Sequence, residues 1–482
     1  MGANVDDVSA TLFENEIADF SIDSRSVKAG ELFFAMSQED YARAGFNGTF
    51  TDAHQFIPDA FGRGAIAAVA RADRVRKSEP LQRYKDRLLL VDDAIAALQQ
   101  LARRVYEAWG KPVVAITGSA GKTTAKELTA HVLSRSGRRV LKSQKNYNNN
   151  LGLPLAVLQM VSRGNLPADF DVAVLEMGMS TPTHEIRRLC EITPPDIGVE
   201  LMVAPVHLEY LSTIENVVAA KAELIEGLKP AGIAVLNADD DWVMKMRAKH
   251  QGRMVTFGVA NQADVAAWEI DASQLGLISF CLHTPLGEAQ AELPMTGHHN
   301  LMNALAAAAV ATCFDISAKA IAEALRTAVA PRMRGEVLDF AAGFTVIDDS
   351  YNSNPRSLTC MVQTIAGAGN HERRRIVVAG EMLELGADAA QLHREAGREM
   401  AQAGIDVVWG VRGLAHEIVE GARDAGLSNT RFLASAAEAA EAIVDEVQPG
   451  DLVLVKGSRG VATDKVVAAL RERFALAGDE EA

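Results

Sequence analysis

A chain of 482 residues is long for one domain and suggests about three. Its formal charge of −15, from 48 Lys plus Arg against 63 Asp plus Glu, argues against a nucleic-acid polymer as ligand, because such binding rests on cations meeting phosphate. With 48% hydrophobic and 23% charged residues the composition is that of a globular chain, which excludes disorder as the main state.

The first block, residues 1–109, carries strand-like runs at Glu31–Ala35, Ala65–Ala70 and Arg87–Val91. A helical pattern from Asp93 to Ala108 follows, closed by Gly110-Lys111-Pro112. The second block, 110–330, opens on the apolar run Val113–Thr117, then a Gly-rich turn and a helix from Lys122 to about Ser136 with Gly137 as its stop. Strands at Asp171–Leu175, Ile197–Val203 and Ile233–Leu236 alternate with a helix over Ile214–Leu228, which predicts a parallel α/β sheet. A hairpin-like patch, Gly276–Leu293, breaks the alternation, and an Ala-rich helix over Leu301–Cys313 closes the block. The third block, 331–482, has strands at Thr345–Ile347, Ile376–Ala379, Val407–Trp409 and Leu452–Val455 between helical patterns. It reads as a smaller Rossmann-like α/β domain, and no GxGxxG follows its strands, so no dinucleotide site is indicated.

The expected fold class is therefore α/β with three domains: a small N-terminal α/β domain, a central P-loop-type parallel sheet domain and a C-terminal Rossmann-like domain. Cys190, Cys281, Cys313 and Cys360 form no CxxC pair, so a reducing compartment is expected and no zinc signature is present. The acidic N-terminus lacks a secretory signal pattern, and the longest apolar stretch, around Ala304–Phe314, is too short to span a bilayer. A cytoplasmic protein without a membrane span is expected.

The strongest chemical signal is GSAGKTT, comprising Gly118, Ser119, Ala120, Gly121, Lys122, Thr123 and Thr124. It lies between a buried strand and a helix N-terminus, where backbone N–H groups and a partial positive charge favour phosphate. Lys122 can reach the β/γ-phosphates and Thr123 can ligate Mg²⁺. Two residues separate Gly118 from Gly121, where the common phosphate loop has four. Glu176 ends the next expected strand, where a carboxylate can hold Mg²⁺. Lys221 sits in an apolar helical stripe with Val217, Val218, Leu224, Ile225 and Leu228, so its ammonium either snorkels from the edge or is neutral, paired or modified. His207 alone reads as a loop histidine. His299, Asn300 and Asn303 precede the Ala-rich helix as a turn and cap, or as amides that read a base edge. DDSYNSNP, from Asp348 to Pro355, follows a strand and reads as a turn-rich loop or as a ribose or substrate site.

Taken in order, GSAGKTT, NYNNNLGLP, LEMGMS, APVHLEYL with AAKAEL, GHHNLMNALAA, DDSYNSNP and KGSRG resemble the Mur ligases over nearly the whole chain. These are ATP-dependent amide-forming enzymes of cytoplasmic peptidoglycan precursor synthesis. DDSYNSNP, NYNNNLGLP and GEMLELG (Gly380–Gly386) are most similar to the branch that adds D-alanyl-D-alanine to UDP-N-acetylmuramoyl-tripeptide. The resemblance implies that residues 1–109 bind the UDP substrate, 110–330 ATP, and 331–482 the incoming amino substrate.

It also implies roles for matched positions. Gly118 to Thr124 would hold the ATP phosphates, Thr123 and Glu176 one Mg²⁺, and His207 with a carbamylated Lys221 a second. Asn300 and Asn303 would lie at the adenine, Asp349 at the ribose and Arg334 at the γ-phosphate. Asp23, Ser24, Arg25, Asn148, Asn149, Tyr351, Asn352 and Asn354 would contact the other substrates. Lys122, His207, Lys221 and Arg334 form the expected catalytic set, in a chain expected to be a monomer.

The N-terminal pattern departs from the family: Phe33-Phe34-Ala35 is followed by a longer segment, and Asp52-Ala53-His54 stands where DGH is usual. Other amide ligases of this type, adding diaminopimelate or lysine or resembling folylpolyglutamate or cyanophycin synthesis, share many of these motifs. The DNPR motif of the diaminopimelate-adding type is absent as such, since Asn354-Pro355-Arg356 lies inside DDSYNSNP. A P-loop ATPase acting as a binding module is the alternative of another class, distinguished by hydrolysis without an amine requirement.

Overall fold

The structure is a computed structural model and describes residues 16–144, 147–179, 183–206, 208–368 and 373–478. Its strands fall into three sheets, one in each expected block. The first has four parallel strands, β1 (Asp19–Ser21), β2 (Glu31–Phe34), β3 (Ala67–Arg71) and β4 (Leu88–Val91), in the order β1-β2-β3-β4. A 16-residue helix, Ala94–Trp109, follows. Asp93 caps its start by accepting from Ala96 N–H, and Gly110 ends it at φ 65°, a left-handed turn that glycine adopts without Cβ strain.

The second sheet holds β5 (Val113–Thr117), β6 (Val140–Lys142), β7 (Val172–Glu176), β8 (Ile197–Glu200), β9 (Ile233–Asn237), β10 (Met254–Gly258), β11 (Val265–Asp271), β12 (Ile278–Thr284) and β13 (Gly287–Leu293). Its order is β13-β12-β11-β10-β9-β8-β5-β7-β6. β5 pairs with β7, and β7 with β6, in parallel, while β11, β12 and β13 form an antiparallel meander. All five residues of β5 and of β7 are buried, as continuous apolar runs in a parallel sheet should be. The expected strand after the phosphate-loop helix is thus preceded by β6, which lies between that helix and β7 in sequence. The expected strand to Val203 stops at Glu200.

The third sheet holds β14 (Glu336–Asp339), β15 (Thr345–Asp349), β16 (Arg375–Gly380), β17 (Val407–Val411), β18 (Thr430–Leu433) and β19 (Leu452–Lys456). Its order is β14-β15-β19-β16-β17-β18, parallel except for the β14–β15 pair. Apolar clusters cover both faces: Val453 and Val455 point into one, Leu452 and Leu454 into the other.

By packing, the chain divides into two units. One comprises Met1–Thr117, Gly137–Val199 and Ala220–Ala234; the other comprises Gly118–Ser136, Glu200–Ala219 and Val235–Ala482. No helix among the described residues is long and apolar enough to cross a membrane. The four cysteines are free.

Candidate active site

In the unit that contains the phosphate loop, GSAGKTT forms the turn into the helix Lys122–Arg135, with Gly121 as N-cap at φ 85°. The two glycines are required for different reasons. A Cβ on Gly118 would sit 2.9 Å from Leu201 Cβ, and one on Gly121 would sit 2.3 Å from Asn303 Oδ1. Ser119 N–H donates to the Met202 carbonyl at 2.8 Å, and its hydroxyl donates to the Ala204 carbonyl at 3.2 Å. Lys122 Nζ curls over the loop to donate to the Gly118 carbonyl at 2.8 Å. The loop is therefore a shaped backbone cradle with an ammonium at its mouth.

The helix His298–Thr312 packs on the phosphate-loop helix. Its alanines are buried on every side, which marks a core helix. It starts three residues before the expected Leu301, so His299 and Asn300 lie within it rather than ahead of it, and Asn303 lies one turn further in. Both are buried, at 1% and 4% exposure, and Asn303 Nδ2 donates to Asn300 Oδ1 at 3.4 Å. Asn303 abuts Gly121, and Asn300 Nδ2 lies 3.5 Å from the Cβ position of Gly335. The next residue back, Arg334, lays its guanidinium over the Tyr351 ring, 4.1 Å from the centroid. Phosphate loop, amide pair and Arg334 segment thus adjoin within one unit.

Beyond β15, Asp349 Oδ2 accepts from Lys456 Nζ at 2.6 Å, and the Asn352 carbonyl accepts from the same amine at 2.9 Å. Asn354 caps the helix Pro355–Gly367 by accepting from Ser357 N–H at 2.9 Å, and Asn352 Oδ1 accepts from Ser353 N–H.

In the other unit, Glu176 ends β7 and is 3% exposed. Asn148 Nδ2 donates to Glu176 Oε1 at 2.9 Å, so an amide fixes the carboxylate's orientation. Asn149 Oδ1 accepts from Leu151 and Gly152 N–H at the start of the helix Gly152–Leu158. Lys221, on the helix Ile214–Glu226, is 2% exposed, which excludes snorkelling into water. Two residues on, buried Glu223 accepts from Arg187 N–H at 3.0 Å and pairs with His184 Nδ1 at 2.5 Å. Asp23, Ser24 and Arg25 follow β1 on the surface. Arg25 grips Asp23 through two hydrogen bonds, at 2.9 and 2.8 Å, and that contact lowers the Asp23 pKa. His207 lies outside the described residues.

The altered N-terminal motif has a local explanation. Ala53 lies in a short 3-10 turn that needs no left-handed residue. Asp52 still accepts from His54 N–H and pairs with its Nδ1, while His54 Nε2 accepts from Arg71 N–H at 2.9 Å.

The donors suit a nucleotide and a hard cation. In the unit with the phosphate loop, the glycine cradle leaves the backbone open to phosphate and the Thr123 hydroxyl offers an oxygen of the kind Mg²⁺ prefers; in the other unit, Glu176 offers a carboxylate oxygen of the same kind. KGSRG and Asn148 stand out in the sequence, but the Lys456–Asp349 ion pair and the Asn148–Glu176 bond do not. The sign for Lys456 was present: like Glu176, it is a charged residue ending an apolar strand.

A phosphate loop on one α/β sheet, followed by a second, largely parallel sheet with polar loops at its carboxyl edge, defines a nucleotide-using α/β enzyme. Residues 116–311 match the Mur ligase middle domain, and residues 333–459 the Mur ligase glutamate ligase domain. The UDP-N-acetylmuramoyl-tripeptide–D-alanyl-D-alanine ligase of Escherichia coli K12 is 33% identical over 93% of each chain. Among solved structures, MurF from Acinetobacter baumannii has a TM-score of 0.81 and 29% identity, covering 95% of this chain and 94% of its own. MurF ligase from Thermotoga maritima in complex with ADP has 0.79 and 26%, covering 97% and 99%. The chain belongs to the Mur ligase family, in the branch of the D-alanyl-D-alanine ligases.

Proposed function

We propose that this chain joins D-alanyl-D-alanine to UDP-N-acetylmuramoyl-tripeptide with consumption of ATP, in peptidoglycan precursor synthesis. The observation that carries the reading is the phosphate cradle of Gly118–Thr124 with Asn303 against Gly121 and Gly335 beside Asn300, in a chain that aligns over 93% of its length with a ligase of that name.

A free carboxylate does not acylate an amine at neutral pH, because its oxygen leaves poorly. Phosphorylation solves this: the tripeptide's terminal carboxylate attacks the γ-phosphorus, giving an acyl phosphate and ADP. The dipeptide amine then attacks the acyl carbon, and the tetrahedral adduct collapses to amide and phosphate. Lys122 and Arg334 stabilise charge on the transferring phosphoryl group. Asn300 and Asn303 hold the adenine, and Asp349 the ribose. Bound Mg²⁺ would supply charge neutralisation at the phosphates; Thr123 and Glu176 would be ligands for one ion, and His207 with a carbamylated Lys221 for a second. The burial of Lys221 supports this, since it keeps the side chain inside the fold, away from bulk water. If Lys221→Ala retains full activity, the carbamylate role is excluded.

Residues 1–109 take the UDP substrate, with Asp23, Ser24 and Arg25 nearby. Residues 110–330 take ATP, and residues 331–482 the dipeptide. Asn148, Asn149, Tyr351, Asn352 and Asn354 act in positioning these substrates. The chain works as a monomer in the cytoplasm, where ATP and UDP-linked precursors meet.

The test is phosphate release with ATP, Mg²⁺, UDP-N-acetylmuramoyl-tripeptide and one candidate amine at a time. Release should require D-alanyl-D-alanine and vanish in Lys122→Ala. Release without any amine, or with a single amino acid instead, overturns the reading.

A further inference from the structure

Three loops leave the carboxyl ends of neighbouring parallel strands in the third sheet: DDSYNSNP after β15, GEMLELG after β16 and KGSRG after β19. β19 lies between the other two, with Lys456 in register with Asp349 on one side and Ala379 on the other. At this point the strands come close. A Cβ on Gly457 would meet the Gly380 Cα at 3.1 Å and the Thr463 side chain at 2.8 Å.

Its side chain is 3% exposed. Nζ donates to Asp349 Oδ2 at 2.6 Å and to the Asn352 carbonyl at 2.9 Å, which uses two of its three protons. Two residues on, the Ser458 hydroxyl donates to the Ser353 carbonyl at 3.4 Å and accepts from Leu383 N–H at 3.0 Å. The KGSRG segment thus ties down both neighbouring loops.

A buried ion pair is weak grounds for stability, because desolvating two charges offsets most of their attraction. The arrangement makes better sense as orientation. An unpaired carboxylate at a nucleotide site would repel the polyanion it is meant to hold. With Oδ2 neutralised by a lysine, Asp349 can present its remaining acceptor capacity to a hydroxyl without that penalty.

We infer that Lys456 is a positioning residue for nucleotide binding: it fixes and neutralises Asp349 so that this carboxylate selects the ribose of ATP. The inference rests on the ribose role proposed for Asp349.

The test compares ATP with 2′-deoxy-ATP and 3′-deoxy-ATP in the amine-dependent phosphate-release assay. The wild-type chain should prefer ATP to at least one analogue. Lys456→Met should raise the KM for ATP roughly ten- to a hundredfold, as expected for a hydrogen bond to a charged group, with kcat within about threefold and the preference abolished. Lys456→Arg should recover part of the preference. A Lys456→Met variant with wild-type KM and preference overturns the inference, as does one whose only change is in the KM for the dipeptide. If that variant does not fold, Lys456→Met/Asp349→Asn removes both charges together. It should discriminate no less than Asp349→Asn alone, and a further loss overturns the inference. Asp349→Asn separates the two levels. Full preference in that variant ends the ribose role itself, whereas lost preference there with full preference in Lys456→Met ends only the role of Lys456.

Discussion

Single residues set the chemistry of this molecule by what encloses them. His299 lies under Gly297, whose Cβ position is 2.7 Å from the ring, and its Nδ1 is sealed from water without a hydrogen-bond partner among the described residues. Burial pushes its pKa down from 6.5 to about 4; Asp349 opposes the shift, while Lys456 and His298 add to it. His393 is also shifted down by burial, against the pull of the Ala389 carbonyl. Its Nε2 accepts from Met382 N–H at 2.9 Å, so the ring is bare there and donates from Nδ1 to Ala389. Both rings are neutral in the fold. Between pH 6.5 and 4 the unfolded chain binds protons that the native His299 refuses, so stability rises with pH across that window. The stabilisation is complete above the unfolded value and disappears as pH falls toward 4, by at most about 3 kcal/mol for His299. Melting curves from pH 7 to 4 should show the fall, and His299→Gln should flatten it; equal slopes in the two proteins refute the assignment. None of this was legible in GHHN, where polarity suggested a turn and the structure has a helix.

Elements were legible to the extent that they are buried. Val113–Thr117, Val172–Glu176 and Leu452–Lys456 are unbroken apolar runs because helices or sheet neighbours cover both faces. Of the strands without an expected counterpart, Asp19–Ser21, Val140–Lys142, Glu336–Asp339 and Thr430–Leu433 are three or four residues long and form sheet edges, whereas Met254–Gly258 and Val265–Asp271 are interior strands only partly buried along their length. An edge strand needs no apolar run, so its pattern carries little signal. The segment after Phe34 was opaque for another reason: its order depends on a buried ion pair. Ser37 and Asp40 form a capping box on the helix Gln38–Arg43, and fully buried Asp40 accepts from Arg71 at the end of β3, at 3.0 Å. Arg71→Leu leaves that carboxylate without its cation, which costs about 3–5 kcal/mol for such pairs. The melting temperature of the unit that holds this sheet should drop accordingly, and Asp40→Asn/Arg71→Leu should recover part of the loss. An unchanged melting temperature in Arg71→Leu excludes the pair as the lock on this helix.

At the scale of the whole molecule, the three-sheet α/β plan could be read from strand–helix alternation, but the order of nine strands in the second sheet could not, since it depends on crossovers that leave no local mark. Nor could the passage from the second sheet to the third. That passage runs through Pro331–Gly335 and contains two left-handed residues, Met333 at φ 62° and Gly335 at φ 78°. Gly335 N–H donates to the Asp348 carbonyl at 2.9 Å, and Tyr351 N–H donates to Met333. These bonds place Arg334 over Tyr351 on one side and bring Gly335 beside Asn300 on the other. Space is not the constraint at Gly335, because an added Cβ would meet nothing closer than 3.5 Å. The backbone angle is. A β-branched side chain at this φ is a steric outlier, whereas asparagine tolerates it. Gly335→Val should therefore rotate the segment and move Arg334 off its ring. Displacement by about 1 Å in a positioning group can lower turnover roughly a hundredfold. The melting transition of the third sheet should stay near the wild-type value, and Gly335→Asn should keep most activity. Combining Gly335→Val with Arg334→Ala should add little to either alone. Full turnover in Gly335→Val shows that the linker's angle does not govern Arg334; equal losses in the valine and asparagine variants show that chain flexibility, not the left-handed turn, is what the site requires.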